Sequence, residues 1–254
     1  MTHFKHLLTV GIAAAALWCG AADSPWGIAA HPHSEMEWKN IDRQLDMMRK
    51  AGITSLRHDV KFSNIARKKG VYDFRRYDEL LEKLDAAGIE FLPILEGYDW
   101  EIERFRSDAK PLYKHPEEWR KFVRACAEHY KGKLKIWEVW NEPDVTPFSG
   151  ISSASYAKMM LNAYNAVKAG NPDARVLTGG FATLANHPML REPGYQENAL
   201  KLGKGGYDIH AYHEHGDYPH FVRMVEERFL PMRKRAGVTE PWWANETALT
   251  SSGG

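Results

Sequence analysis

Seven short apolar, β-rich runs begin near residues 26, 54, 89, 134, 174, 207 and 240, and amphipathic helical stripes fill most of the gaps between them. Nothing else in the chain restricts the fold so tightly. Two parallel strands need a crossover of roughly a dozen residues or more between them, and these starts lie about 28 to 45 residues apart, which leaves room for one helix in each interval. The stripes are periodic at three and four residues: Trp38, Ile41, Leu45 and Met48; Tyr77, Leu80, Leu81, Leu84 and Ala87; Trp119, Phe122, Val123, Cys126 and Tyr130. Further along come Tyr156, Met159, Met160, Ala163, Tyr164 and Val167, then Phe221, Met224, Val225 and Met232. Gly52, Gly88, Gly132, Gly170 and Gly237 stand where helices should stop.

Regular alternation of this kind predicts an α/β protein with a parallel sheet. Two architectures compete, an open doubly wound sheet and a TIM (β/α)8 barrel. The doubly wound sheet usually carries a glycine-rich turn after its first strand, and here that turn is His31–Trp38, HPHSEMEW. Seven successive units favour closure. We therefore expect a barrel with about seven of its eight strands present, in a single catalytic domain over residues 23–254. The sequence stops after the seventh strand, so the expectation includes a chain short of its last unit by about 60 to 80 residues.

The first 22 residues differ from the rest. Lys5 precedes the apolar run Leu7–Cys19, and Gly20-Ala21-Ala22 supplies small residues for cleavage, the pattern of a secretory signal peptide. A membrane-spanning helix needs about 20 apolar residues, more than this run offers. The expectation is a secreted or periplasmic protein with no membrane anchor after cleavage. Cys126 would then be the only cysteine, on the apolar face of a helix, with no internal disulfide to form. Net charge is +1, with 34 Lys and Arg against 33 Asp and Glu, which gives nucleic acid no electrostatic footing as a partner. The basic runs Arg67-Lys68-Lys69 and Arg233-Lys234-Arg235 precede glycines, as last-turn helix chemistry does. Oligomeric state is not written in the sequence.

The chemistry concentrates at strand ends. Leu134–Asp144, LKIWEVWNEPD, is an apolar strand halted by Pro143, which has no N–H to continue a ladder, and the halt leaves Glu142 at the tip. In a (β/α)8 barrel, catalytic residues gather at the C-terminal ends of the strands. The seventh run, Pro241–Leu249, bears Glu246 at the corresponding place. Two carboxyl groups about 5 to 5.5 Å apart can cleave a glycosidic bond with retention, one protonating the leaving oxygen and the other attacking the anomeric carbon. Arg57, near the end of the second strand, could keep Glu246 ionised. The bland readings are a solvated carboxylate after a strand and, for Asn245-Glu246-Thr247, a glycosylation acceptor that a buried strand would not expose.

Trp140-Asn141-Glu142-Pro143 on the fourth strand, with a second Glu on the seventh, resembles the clan A retaining glycoside hydrolases. Within the clan, Arg57-His58-Asp59, Lys69-Gly70-Val71-Tyr72-Asp73-Phe74 and Tyr77-Asp78 look most like family 39 and its relatives. The resemblance implies Glu142 as acid/base, Glu246 as nucleophile, Asn141 as a donor to the sugar 2-hydroxyl and Arg57 as partner of the nucleophile. It places His213 and His215 at the sugar site, implies a carbohydrate substrate, and requires no cofactor. Where the clan often has His-x-Tyr at the end of strand six, this chain has His213-Glu214-His215, and strand alternation turns Tyr212 to the opposite face. After Glu246 it has Thr247-Ala248. Trp140 and Trp100 are candidates for sugar stacking, and Tyr98, with Glu96 and Asp99, for binding hydroxyls.

Two rivals follow from the same residues. One is a barrel that binds glycans without turnover, or an inactive fragment of a hydrolase. The other is a metal-dependent hydrolase built on His210, His213, His215 and Glu214, since imidazoles and a carboxylate are ordinary zinc ligands. Alternation separates His210 from the other two histidines and opposes that cluster.

Overall fold

The computed structural model describes residues 26–30, 38–68, 70–97, 114–182 and 188–248. The leader-like segment, Tyr98 with Asp99 and Trp100, and Leu249 lie outside them. The chain falls into two compact units. One ends at His58 and resumes over Phe74–Leu92; the other comprises Asp59–Asp73 and the chain from Pro93 onward.

In the first unit, β1 (Gly27–Ala29) runs parallel to the start of β2 (Ser55–Lys61), with Gly27 opposite Ser55 and Ala29 opposite Arg57. Helix α1 (Ile41–Lys50) makes the crossover and buries Ile41, Leu45 and Met48, the face that the three-and-four spacing selects. Helix α2 (Arg75–Ala87) buries Tyr77, Leu80, Leu81 and Leu84 and stops at Gly88, whose φ of 68° is left-handed. Across the exposed side of the two helices, Lys83 Nζ donates to Asp42 at 2.7 Å. The unit also holds the start of β3 (Glu90–Glu96), where the Glu90 N–H donates to the Thr54 carbonyl.

The second unit carries the ends of β2 and β3. A helical turn, Phe62–Ile65, and an antiparallel hairpin of Ala66–Lys68 with Val71–Tyr72 follow β2. Helix α3 (Pro116–His129) begins with proline and two glutamates and buries Trp119, Phe122, Val123 and Cys126. Burial pushes the Cys126 thiol well above its ordinary pKa and leaves it an inert core side chain. The succession then runs β4 (Ile136–Asn141), α4 (Ser153–Gly170), β5 (Arg175–Gly180), α5 (Tyr195–Leu202) and β6 (His210–His213). After β6 come α6 (Tyr218–Met224), a π-helical turn over Val225–Phe229, α7 (Leu230–Ala236) and β7 (Trp242–Glu246). Side-chain caps start two of the helices: Ser152 accepts from the Ser155 N–H, and Asp217 from the His220 N–H at 2.8 Å.

Strand order in this unit decides between the two expected architectures. β3 pairs with β4, β4 with β5 and β6 with β7, all parallel, and the bridges Leu177–Ile209 and Phe181–Tyr212 join β5 to β6. Each strand thus lies beside the one before it, without the reversal that a doubly wound sheet requires. Beneath the strands, α3 and α4 touch so closely that a Cβ on Gly170 would meet the Arg124 carbonyl oxygen at 2.9 Å, while the Trp119 indole N–H donates to the Met159 carbonyl. Among the described residues β7 pairs with β6 alone.

The strands are shorter than the apolar runs suggest: β6 occupies His210–His213 rather than Tyr207–His215, and β7 ends at Glu246. The cause at β6 is visible. Asp208 turns its side chain back to accept from the Val176 N–H at 2.8 Å, and its own N–H bonds the Val176 carbonyl.

Candidate active site

Glu142 sits one residue past β4, in a strained backbone. Trp140 and Glu142 have φ of 72° and 43°, the only positive values among the described residues other than glycine. Such conformations cost on the order of 1–3 kcal/mol each and persist where surrounding structure imposes them. Here the imposing contacts are identifiable. The Glu142 N–H donates to the Gly180 carbonyl and its carbonyl accepts from Val145, while Trp140 is buried to 2% exposure with its indole N–H toward the Phe148 carbonyl. The structure therefore corrects the expectation for Trp140. It is a core side chain supporting the strand end, not an open platform for a sugar.

Neighbouring strands are held apart and together by side chains that accept backbone N–H groups. Glu138, fully buried in β4, accepts from Gly180; Asp144 accepts from Ala182; Thr178 of β5 accepts from Ala211 of β6. The Tyr156 hydroxyl of α4 accepts from the Gly179 N–H at 2.6 Å and donates to the Val139 carbonyl at 2.9 Å. The pair Gly179-Gly180 is required by what lies against it. A Cβ on Gly179 would meet the carbonyl oxygens of Val139 and Trp140 at 2.7 Å, and one on Gly180 would overlap the His213 imidazole.

His213 is fully buried, and its Nδ1 faces both carboxylates, at 3.0 Å from Glu142 Oε1 and 3.9 Å from Glu246 Oε2. Its Nε2 faces Gly180 and meets no hydrogen-bond partner among the described residues, so Nδ1 is the nitrogen placed to donate. His215 Nε2 lies 3.8 Å from Glu246 Oε1. One oxygen of Glu142, one of Glu246 and one nitrogen of His215 all lie within 4.8 Å of one another. The Glu142 side chain is 11% exposed against 32% for Glu246, which places the former deeper and the latter more open to solvent. Asn141 is half-buried opposite Gly180.

A β-bulge brings Glu246 to this cluster. His210 pairs with Trp242, Ala211 with Trp243 and Tyr212 with Ala244, after which the register slips and His213 pairs with Glu246. In an unbroken strand Glu246 would share the face of Trp242 and Ala244, the face that carries Tyr212 and His210 toward Phe229. The extra residue, Asn245, turns the carboxylate to the His213 side.

The histidines divide as alternation requires. His210 lies on the helix side, with Arg233 Nη1 on its Nδ1 at 2.8 Å and the Gln196 amide on its Nε2 at 2.9 Å, so it takes no part in a cluster with His213. Glu214 also turns away: it accepts from the Tyr212 hydroxyl and lies 3.0 Å from His220 Nε2. The four-membered metal cluster considered from the sequence is therefore not assembled. Arg57 is buried on β2 in the first unit. In the second unit Lys61 lies 3.1 Å from Asp59 and 3.4 Å from Glu96; burial works against its charge, but the two carboxylates outweigh it and raise its pKa. Sequence reasoning missed Glu138, His213 as the bridge between two carboxylates, and the glycine pair. A Gly-Gly at a strand end beside a motif strand was the available signal.

No family model matches the chain. It is similar over 89% of its length to a solved family 39 glycoside hydrolase from Bacteroides cellulosilyticus, at TM-score 0.63 and 19% identity, spanning 49% of that chain. It is similarly related to an endo-β-1,4-mannanase from Thermotoga petrophila, at TM-score 0.62 and 17% identity, covering 89% of this chain and 61% of that one. Among curated proteins it is 24% identical over 144 residues to human Klotho, which is 54% of this chain and 14% of Klotho. It is 29% identical over 100 residues to beta-glucosidase 32 of Arabidopsis thaliana, which is 38% of this chain and 18% of that protein. The chain thus spans about half the length of that family 39 structure and a smaller part of these curated relatives. Relatives named as glycoside hydrolases recur in both comparisons, and the fold of this chain is their parallel (β/α)8-barrel architecture, seen here in seven strands.

Proposed function

We propose that this protein hydrolyses β-linked glycosides with retention of configuration. Glu142 protonates the departing glycosidic oxygen while a Glu246 oxygen attacks the anomeric carbon and forms a glycosyl ester. Glu142, now ionised, then takes a proton from water, whose oxygen displaces Glu246 and regenerates both carboxyl groups. The observation that carries this reading is the separation of the pair: one oxygen of each lies within 4.8 Å of the other. That suits direct attack, whereas an inverting enzyme needs about 6.5–9.5 Å to seat a water between its carboxyl groups.

The division of roles follows burial. Glu142 is the deeper group and has a ring N–H at 3.0 Å that can orient its carboxyl. Glu246 is the more exposed and presents its carboxylate to an incoming sugar. Asn141, half-buried beside Glu142, is assigned to the sugar 2-hydroxyl on the resemblance to clan A. His215, on the open side of the pair, flanks the sugar, and the buried His213 orients Glu142 from behind. Export from the cell is part of the same proposal, and N-terminal sequencing of the secreted protein would test it.

Glu246→Ala should abolish turnover of aryl β-glycosides, and added azide should restore it while giving the glycosyl azide of inverted configuration. Wild-type turnover in that variant would sink the assignment.

A further inference from the structure

We propose that Glu142, Glu246 and His215 form a binding site for a first-row transition-metal cation of the zinc type. The inference goes beyond the hydrolytic reading, because it concerns a ligand that would occupy the same three side chains and silence them.

The geometry supplies three donors of the right kind. One oxygen from each glutamate and one imidazole nitrogen of His215 are mutually within 4.8 Å, and His215 Nε2 is 3.8 Å from Glu246 Oε1. A four-coordinate zinc with bonds of about 2.0–2.1 Å sets neighbouring donors about 3.4 Å apart. The three groups need to draw in by about an ångström or less on average to reach that spacing. His215 and Glu246 are 39% and 32% exposed and sit on the open side of the cluster, so their side chains can supply the movement without disturbing the core.

Donor type selects the ion. Magnesium and calcium prefer shells made wholly of oxygen, whereas an imidazole with two carboxylates suits zinc, cobalt and nickel. A divalent ion also neutralises two carboxylates that otherwise face each other at close range. Metal-binding carboxylates are commonly hydrogen-bonded from behind, and here His213 Nδ1 does this for Glu142 at 3.0 Å. Glu214 is held away on the other face by Tyr212 and His220, so His215 reaches the site and Glu214 does not compete for the ion. Three protein donors leave a fourth position for water, and the ion remains accessible to chelators.

Occupancy has a chemical consequence. A metal-bound Glu142 cannot hold the proton it would deliver, and a metal-bound Glu246 has its lone pair engaged. Zinc is therefore expected to act as a reversible blocker of the carboxylate pair.

Isothermal titration of tag-free protein with zinc chloride tests this without reference to turnover. One zinc should bind per chain, magnesium chloride should give no comparable heat, and His215→Ala and Glu246→Gln should each weaken zinc binding by at least about tenfold. His129→Ala, an exposed histidine on α3, should bind as the wild type does and so excludes adventitious surface histidines. Near-UV circular dichroism establishes that the variants are folded, and Glu246→Gln decides the matter if His215→Ala is not. Unchanged affinity in a folded variant of either ligand, or no saturable zinc binding at all, would overturn the proposal. Because the readout is heat, failure here leaves the glycosidase reading standing, and a zinc-binding protein that never turns over glycosides would refute only the latter.

Discussion

His213 Nδ1 stands 3.0 Å from Glu142 Oε1 and 3.9 Å from Glu246 Oε2, so one buried imidazole from β6 hydrogen-bonds the carboxylate that follows β4 and faces the one carried by β7. The ring is fixed from behind by Gly180, whose Cα leaves no space for a methyl group. Gly180→Ala should therefore push His213 and with it Glu142 out of place. A displacement of about 1 Å can cost roughly 10²-fold in rate, and a loss of that order in kcat is expected for Gly180→Ala on aryl β-glycosides. Unaltered kcat in Gly180→Ala would show that His213 does not position the pair.

The bulge at Asn245 makes a register prediction. If Glu246 reaches His213 only because Asn245 is extra, moving the carboxylate by one residue should remove it from the site. The double variant Asn245→Glu, Glu246→Asn is expected to fold with wild-type circular dichroism and to be inactive. Substantial activity would mean that β7 runs without the slip between Tyr212 and His213.

Tyr156 ties β4 to β5 below the site through a single hydroxyl. Tyr156→Phe keeps the ring but leaves a buried N–H at Gly179 and a buried carbonyl at Val139 less satisfied. A loss of about 1–3 kcal/mol is expected, read as a lower urea midpoint with an unchanged slope. A variant as stable as the wild type would show that the strands hold their spacing without this bond.

His210 predicts how stability responds to acid. Burial first, and the Arg233 charge second, hold its pKa well below the usual imidazole value. Arg233 donates to Nδ1, which leaves the ring hydrogen on Nε2, and exchanging the ends of the Gln196 amide would give that hydrogen the otherwise unpartnered Oε1 as acceptor. In the unfolded chain the imidazole takes up a proton near pH 6.5, while the native ring does not. The unfolded state thus binds more protons below about pH 6.5, and native stability falls as pH drops from there toward the depressed native pKa. His210→Gln should lower stability at pH 7.5 and show a shallower decline between pH 6.5 and about 5, by close to one proton taken up on unfolding. An identical pH slope in the variant would contradict the neutral buried ring.

Much of the scaffold was readable because it rests on strong local signals. Trp119, Phe122, Val123 and Cys126 recur at helical spacing and are all buried on one face of α3. Pro143 announced the strand end at Glu142, and the odd-even pattern from His210 to His213 correctly set His210 and Tyr212 apart from His213. Other features depend on tertiary contacts that leave little trace in sequence. The same odd-even rule, extended along β7, puts Glu246 with Trp242, and only the register slip corrects it. Glu138 lies in an aromatic run and gave no hint that a buried carboxylate would cap a Gly180 N–H. Helix α5 is short and its buried face, Tyr195, Gln196, Ala199 and Leu200, includes a polar residue, and the stripe from Phe221 to Met232 hides a π-helical turn at Val225–Phe229. A stripe reports which face is buried, but it does not report a change in the helix's own hydrogen-bond spacing.

In the proposed mechanism Glu142 and Glu246 act as a pair close enough for direct attack on the sugar. Proton NMR of the first-formed product from an aryl β-glycoside, recorded before mutarotation, tests it most directly. Appearance of the β-anomer first is the predicted result; appearance of the α-anomer first would mean inversion and would rule out direct attack by Glu246.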